Sequence, residues 1–459
     1  MSHDENLRRL LEEAARRGID YRLQSPSRSV VPTDEAIANI QRFIEPLPEH
    51  GVADLDVLAE LDEIGTPAAV AMTGPRFFGF VIGGSLPVTL ASNWLASAWD
   101  QNDVMFEVTP ATATLERVAM DWMIDLFGLP AETGAAFVTG ATIANFSALA
   151  AARNRVYADI GWNVEADGLI GAPPLTILVG EEAHPTVIKG IGLLGFGRDR
   201  VQRLPVDGQG RIDVRQIPEI SGPAIVCTQA GNINTGGFDP VGDICDAVKG
   251  TGAWVHVDGA FGLWAAASPD LAHLCNGFQA ADSWATDAHK WLNVPYDCGI
   301  AFVRDAAALK SAMSITADYL ITKTESRNPS DYTPELSRRA RGVDVWAALK
   351  SLGRSGLAEM LNRCCSNARR FAVGLEKAGF EILNEVCLNQ VLVSFGDDSR
   401  TRRVIDAIQA DGTCWCGVTV WQGRTAMRIS VSNWSTTPAD VDASLAAIIR
   451  LAAATESMQ

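Results

Sequence analysis

The feature that most constrains this chain is an alternation between residues 71 and 350. Short runs that are apolar on successive residues, at 136–138, 175–179, 224–227, 254–257, 283–286 and 300–303, are separated by stretches with helical spacing such as 143–153 and 241–249. A strand that is apolar on consecutive positions has both faces covered, and strands alternating with helices form a parallel sheet. The pattern predicts an α/β domain over 71–355. In such sheets ligands bind beyond the carboxyl ends of the strands. The first 70 residues read as helical but are broken by Pro26, Pro32, Pro46, Pro48 and Pro67, which suggests an arm packing on another subunit. From residue 356 the pattern changes to a long helix (356–378), strand signals at 389–395, 414–421 and 427–431, and a final helix near 438–454 after the capping hydroxyls of Ser435, Thr436 and Thr437. This predicts a smaller α+β domain over 356–459.

Charge narrows the partners. A net charge of −17 repels phosphate backbones and anionic lipid, so neither nucleic acid nor membrane is expected as a partner. The opening stretch is charged and amphipathic, without the apolar centre of a secretory leader, and no run reaches about 18 consecutive apolar residues. Nine cysteines lack zinc-knuckle or CxxC spacing and read as free thiols in a reducing cytoplasm.

Lysine is scarce, with seven in the chain, so one in an apolar, aromatic setting carries weight. Lys290 lies between His289 and Trp291 just past a strand, where partial desolvation would make its amine a usable nucleophile. Asp258 ends another strand, in HVDGAFGLW. His184 follows the strand at 175–179. The segment FVTGATIANF gives a strand, a turn at Thr139-Gly140-Ala141-Thr142 and then a helix, the arrangement that holds an anion on backbone amides. Pyridoxal phosphate needs a lysine, an acid for its ring nitrogen, a ring to stack on and donors for a phosphate. These residues supply all four. KGIGLLG (189–195) spells GxGxxG, but a helical pattern precedes it where a nucleotide fingerprint needs a strand. No histidine, cysteine and acid set has metal-ligand spacing, so no metal is expected.

On these motifs the chain resembles the group II pyridoxal-phosphate decarboxylases, which include aromatic L-amino-acid, histidine and glutamate decarboxylases. The resemblance runs from about Arg76 to the last helix. It implies the fold-type I arrangement, with a mostly parallel sheet in the large domain, a small C-terminal α+β domain, and a homodimer with sites at the subunit interface. In DAHKWLNVPYDCG it makes Lys290 the Schiff-base residue and puts His289 beside the phosphate. In HVDGAFG it puts Asp258 at the pyridinium nitrogen and Ala260 against the ring. It makes His184 the stacking ring, sets Thr228 near the cofactor, and assigns Ala141 and Thr142 to the phosphate turn. Asp287 is an acid where some relatives have asparagine. Tyr319, on a loop about thirty residues after the lysine, is the implied proton donor to Cα, with Tyr332 a second candidate, and 322–331 reads as a lid. In RFFGFVIGGSLP, Phe80 and Gly83 are implied substrate contacts, though relatives often carry a hydroxyl at the place of Gly83. Ser337 is implied to reach toward the other subunit's site.

The implied reaction is decarboxylation of an L-amino acid to its amine and CO2. The aromatic pocket segment favours an aromatic substrate, with 2,4-diaminobutyrate or glutamate as alternatives. A carbon–carbon lyase or an oxidative aldehyde synthase on the same scaffold is the other possibility. A tyrosine at position 319 favours simple decarboxylation.

Overall fold

A computed structural model describes residues 2–315 and 326–456. Eleven strands form two sheets among these residues. The larger contains β1 (Gly134–Val138), β2 (Thr176–Gly180), β3 (Gln202–Leu204), β4 (Ala224–Gln229), β5 (Trp254–Asp258), β6 (Ser283–Asp287) and β7 (Gly299–Val303), in the order β1-β7-β6-β5-β4-β2-β3. The pairs from β3 across to β6 are parallel, whereas β7 is antiparallel to both neighbours. Six strands therefore run one way and β7 alone runs against them. The six expected strands are present, each within two residues of its expected limits. The short β3 was missed because only three residues pair and two of them are exposed.

Strands β1, β4, β5, β6 and β7 are buried at every position, as the apolar runs require when helices cover both faces. On one face the helix Ala141–Ala158 packs on β5, β6 and β7 through small residues such as Ala144, Ala148 and Ala151, which let helix and sheet approach closely. The other face meets a core in which Trp264, Trp284 and Trp291 are fully enclosed. Burying such a side chain contributes about 1.5–3 kcal/mol or more relative to leaving it in water.

The second sheet is β8 (Glu381–Ile382), β9 (Gln390–Ser394), β10 (Gly417–Trp421) and β11 (Arg424–Ser430), antiparallel in the order β10-β11-β9-β8. The long helix expected at 356–378 is the second part of a helical run, Gly342–Lys377, that is split at Gly353, whose backbone is non-helical (φ 59°). The last helix, Pro438–Glu456, opens where expected, with Thr437 and Asp440 capping one another.

A buried ionic cluster locks the segment after residue 325 to the helix Pro110–Leu126. Glu116, fully enclosed on that helix, accepts from Arg338 and from Arg327 Nη1 at 3.0 Å. Arg338 also reaches Asp103 (3.2 Å), and Arg327 donates to the carbonyl of Ala135 on β1 (2.5 Å). Burial works to raise the Glu116 pKa, and the two guanidiniums outweigh it, so the carboxylate is held below its usual range. Removing one partner of such a cluster leaves an uncompensated charge in the core. Glu116→Gln is expected to cost about 3–5 kcal/mol and Arg354→Ala, at an exposed pair with Asp125, about 0–1 kcal/mol, compared by the midpoint of the first urea transition.

Candidate active site

Because β1, β2, β4, β5 and β6 run in one direction, their carboxyl ends lie along one edge of the sheet. Every residue expected around a cofactor comes from that edge. The Thr139–Thr142 turn follows β1, His184 follows β2, Thr228 is near the end of β4, Asp258 ends β5, and Asp287 to Lys290 follow β6. The Lys290 amine meets Asp287 Oδ2 at 2.9 Å, and His289 Nε2 lies 3.7 Å from the same oxygen. Asp287 Oδ1 accepts the Ala141 amide at 2.6 Å. Asp287 thus links the lysine turn to the first amide of the helix Ala141–Ala158.

His184 caps the helix Pro185–Leu193. Its Nδ1 lies 2.7 Å from the Thr186 hydroxyl and accepts the Thr186 amide at 3.3 Å. Burial, then the nearby charges of Lys290 and Arg428, press its pKa down to about 4, so the ring is neutral at physiological pH. His184, Thr228 and Asp258 line one small cavity. The Thr228 hydroxyl donates to the His256 carbonyl (3.0 Å). The Ala260 amide donates to Asp258 Oδ1 (3.2 Å), and the Ala260 carbonyl accepts the Asp287 amide (2.9 Å). His289 Nδ1 accepts the Cys298 amide (3.1 Å), and its ring packs on Tyr296, with centroids 4.3 Å apart.

Asp258 carries the strongest chemical signal. Burial pushes its carboxyl up to about 6, against the lowering influence of Lys290, the Ala260 amide and the Asn145 side chain. The protein therefore compensates this charge only in part, and a cationic ring nitrogen would complete it. The buried Asn145 Nδ2 nearby has no closed hydrogen bond among the described residues. Pyridoxal phosphate fits this donor set, with Lys290 for its carbonyl carbon, Asp258 for the ring nitrogen and the Ala141 helix terminus for the phosphate. The phosphate would take the amide that Asp287 accepts here.

Gly83 has a reason that sequence spacing did not reveal. A Cβ there would lie 1.7 Å from the Lys290 carbonyl oxygen and 2.9 Å from the Asn293 amide. A hydroxyl-bearing residue does not fit, so the glycine serves close backbone contact behind the lysine. Gly299 is a similar case, since a Cβ would lie 2.4 Å from the Gly140 backbone in the phosphate turn. Phe80 is exposed and stacks on Trp415, as does Phe77 on the same indole. Ser337 is exposed and accepts from Asn102 Nδ2 at 3.2 Å.

Tyr319 lies outside the described residues. Tyr332 does not stand free: the Arg327 guanidinium sits 4.2 Å over its ring, which packs against the helix-covered core. Of the expected lid, 326–331 is tied down, with Asn328 Oδ1 accepting the Phe106 amide and the Ser330 amide donating to the Val104 carbonyl. Those anchors lie some 220 residues away, and local polarity could not announce them. The sequence reading also missed Arg428 on β11. Burial brings its guanidinium down to about 10, and its Nε has no hydrogen-bond partner among the described residues. It is close enough to His184 to depress that ring's pKa. Lys189–Gly192 of the glycine motif lies within a helix and not in a strand-to-helix turn.

The family described as "Pyridoxal-dependent decarboxylase conserved domain" matches residues 40–396. The chain belongs to this family. It is similar to tryptophan decarboxylase 1 of Oryza sativa subsp. japonica, at 25% identity over 90% of this chain and 87% of that protein. It is 30% identical to the acidic amino acid decarboxylase GADL1 of Mus musculus, over 69% of this chain and 59% of that protein. Among solved structures, an Oryza sativa TDC with PLP and tryptamine superposes with a TM-score of 0.91 at 23% identity, covering 100% of this chain and 99% of that one. Mouse CSAD gives 0.91 at 24%, over 98% and 99%. The fold is therefore the fold-type I arrangement, and the chain is a pyridoxal-phosphate-dependent carboxy-lyase acting on an amino acid.

The partial compensation at Asp258 has a sign that can be tested without cofactor. A carboxyl raised from the usual 3.8 to about 6 contributes stability that is fully present only below about 3.8 and is lost progressively as pH rises from there through about 6. Asp258→Asn is therefore expected to stabilise the cofactor-free chain at pH 8, by at most about 3 kcal/mol, and by roughly half as much at pH 5, which lies inside the window between 3.8 and about 6. Urea unfolding at the two pH values checks this.

Proposed function

We propose that the chain decarboxylates an L-amino acid with an aromatic side chain, at a site built on Lys290, Asp258 and His184. The observation that carries the substrate class is the exposed ring of Phe80, stacked 5.8 Å from Trp415, which itself stacks on Phe77 at 5.1 Å. Flat apolar faces in that arrangement suit another aromatic ring. Bound pyridoxal phosphate supplies the electron sink that accepts the bonding electrons as CO2 leaves.

The residues of this chain do the rest. Lys290 would hold the cofactor through its amine, and Asp287 compensates the ammonium charge. Asp258 holds a proton on the ring nitrogen, and the same burial that raises its pKa excludes water there. Neutral His184 would stack on the ring, and its charge-free state would avoid repelling a cationic pyridinium. Ala141, Thr142 and His289 would hold the phosphate, and Thr228 and Ala260 would lie beside the ring. Tyr319 delivers the proton to Cα. Gly83 keeps the pocket segment in contact with the lysine turn.

An assembly reading goes with this. The chain functions as a homodimer, with 1–70 as an arm, 71–355 as the cofactor-binding part and 356–459 as the small domain. The helix His3–Gln24 buries none of its residues, and Leu7, Leu11 and Leu23 stay exposed, as does Trp94 beyond it. An amphipathic arm with exposed leucines suits a second subunit, and exposed Ser337 suits a residue reaching the partner's site. All nine cysteines are free thiols, which suits a cytoplasmic setting. No helix among the described residues is long and apolar enough to cross a membrane.

Arg428 favours a second reading. A desolvated guanidinium with an unpaired Nε can take a carboxylate, either the substrate's own or that of an acidic side chain. CO2 release from a panel of tryptophan, phenylalanine, tyrosine, glutamate and cysteine sulfinate decides between them. The expected result is turnover of an aromatic member, lost in Lys290→Ala, with KM raised about 10-fold in Phe80→Ala, as for loss of one stacked ring contact. Turnover confined to the acidic members, abolished in Arg428→Leu and indifferent to Phe80→Ala, would overturn the aromatic assignment.

A further inference from the structure

Behind Asp258 lies a line of buried polar side chains that the reaction itself does not require. Trp254 opens β5 and carries a donor-only indole, whose Nε1 donates to Ser283 Oγ on β6 at 2.8 Å. Ser283 Oγ lies 2.9 Å from His256 Nδ1. His256 Nε2 lies 2.9 Å from Asn145 Oδ1, on the helix Ala141–Ala158. All four side chains are buried, and His256, Ser283 and Asn145 are wholly enclosed.

The direction of this line follows from its ends. The hydroxyl of Ser283 accepts from Trp254 and spends its single proton on His256 Nδ1. His256 is neutral, since burial alone holds its pKa near 3. Its one ring proton is then on Nε2 and is donated to Asn145 Oδ1. With that oxygen engaged, the amide must present its Nδ2 elsewhere. That nitrogen has no closed hydrogen bond among the described residues, and Asn145 is one of the groups that lower the Asp258 carboxyl. A flipped amide would turn its oxygen toward the carboxylate and would leave two acceptors facing each other.

We propose that Trp254, Ser283, His256 and Asn145 form a hydrogen-bond chain of fixed polarity that presents an amide donor to Asp258, making Asn145 and His256 positioning residues for the carboxylate that meets the cofactor's ring nitrogen. The chain has a second effect. Asn145 stands one helical turn beyond Ala141, so the same line ties the helix that receives the phosphate to the strand that carries Asp258. The two ends of the cofactor are thereby held in one frame.

This inference rests on the reading of Asp258 as the partner of the ring nitrogen, and the test separates the two. The cofactor-free protein is titrated with pyridoxal phosphate and with its 1-deaza analogue, which has CH in place of the ring nitrogen, and Kd is read from quenching of tryptophan fluorescence. Asn145→Leu removes the donor at similar volume. It is expected to weaken pyridoxal phosphate about 10-fold, as for loss of one hydrogen bond to a charged group, and to leave the analogue within about 2-fold. Asp258→Asn should show the same selectivity. If Asn145→Leu weakens both probes alike, or neither, while Asp258→Asn stays selective, the chain is merely structural and the proposal falls. If Asp258→Asn is itself unselective, the carboxylate does not meet the ring nitrogen, and both readings fall. Asn145→Ala, which cannot overpack, decides the matter by the same criteria should the leucine variant not fold.

Discussion

The position of Lys290 depends on a turn held from three directions. Asn293, wholly buried and in the left-handed region (φ 58°), donates from its amide to the carbonyls of Trp291 and Ser432, while its Oδ1 accepts the Trp434 amide. Its backbone carbonyl accepts the Leu86 amide and the Thr89 hydroxyl. One asparagine thus joins the lysine turn, the segment that follows β11 and the pocket segment around Gly83. Asparagine tolerates this backbone region better than most residues, and its amide has a donor and an acceptor to spend on two different segments. The close approach of Gly83 to the Lys290 carbonyl depends on this arrangement.

The electrostatics of the site run against the chain's overall charge. Although the protein is strongly acidic, desolvation sets the charge states of several groups in and around the site. Burial keeps His184 neutral, raises Asp258 and lowers the Arg428 guanidinium to about 10, which leaves it charged but poorly solvated. Groups tuned this way by desolvation are common where catalysis needs them, since a fully solvated charge would have little to gain from a ligand. Net charge at the surface and charge state in the cleft are separate properties here.

Much of the large sheet was legible because its strands are buried on both faces and so spell continuous apolar runs. Lys290, Asp258, His184 and the turn at Ala141 were legible because each follows or ends such a run, and the shared strand direction brings them to one edge. Long-range contact was not legible. The buried end of the loop at 326–331 is fixed by Glu116, Phe106 and Val104, which are remote in sequence. Arg428 belongs to the second sheet, and nothing in its neighbours announces that it faces His184. The first part of the helical run, from Gly342, was not read, whereas the part after the break at Gly353 was. Gly83 looked like the loss of a hydroxyl and is instead required by a contact with backbone more than 200 residues away.

The cluster at Glu116 has a consequence for how this chain can change over generations. A single carboxylate serves both Arg327 and Arg338, which flank the stretch carrying Tyr332 and Ser337. The effect of replacing either arginine depends on whether the other is present, because each alters the charge that the shared anion must balance. The two flanks are therefore not free to drift separately: a substitution tolerated at one becomes costly or harmless according to the state of the other. Glu116 makes this segment a unit of inheritance.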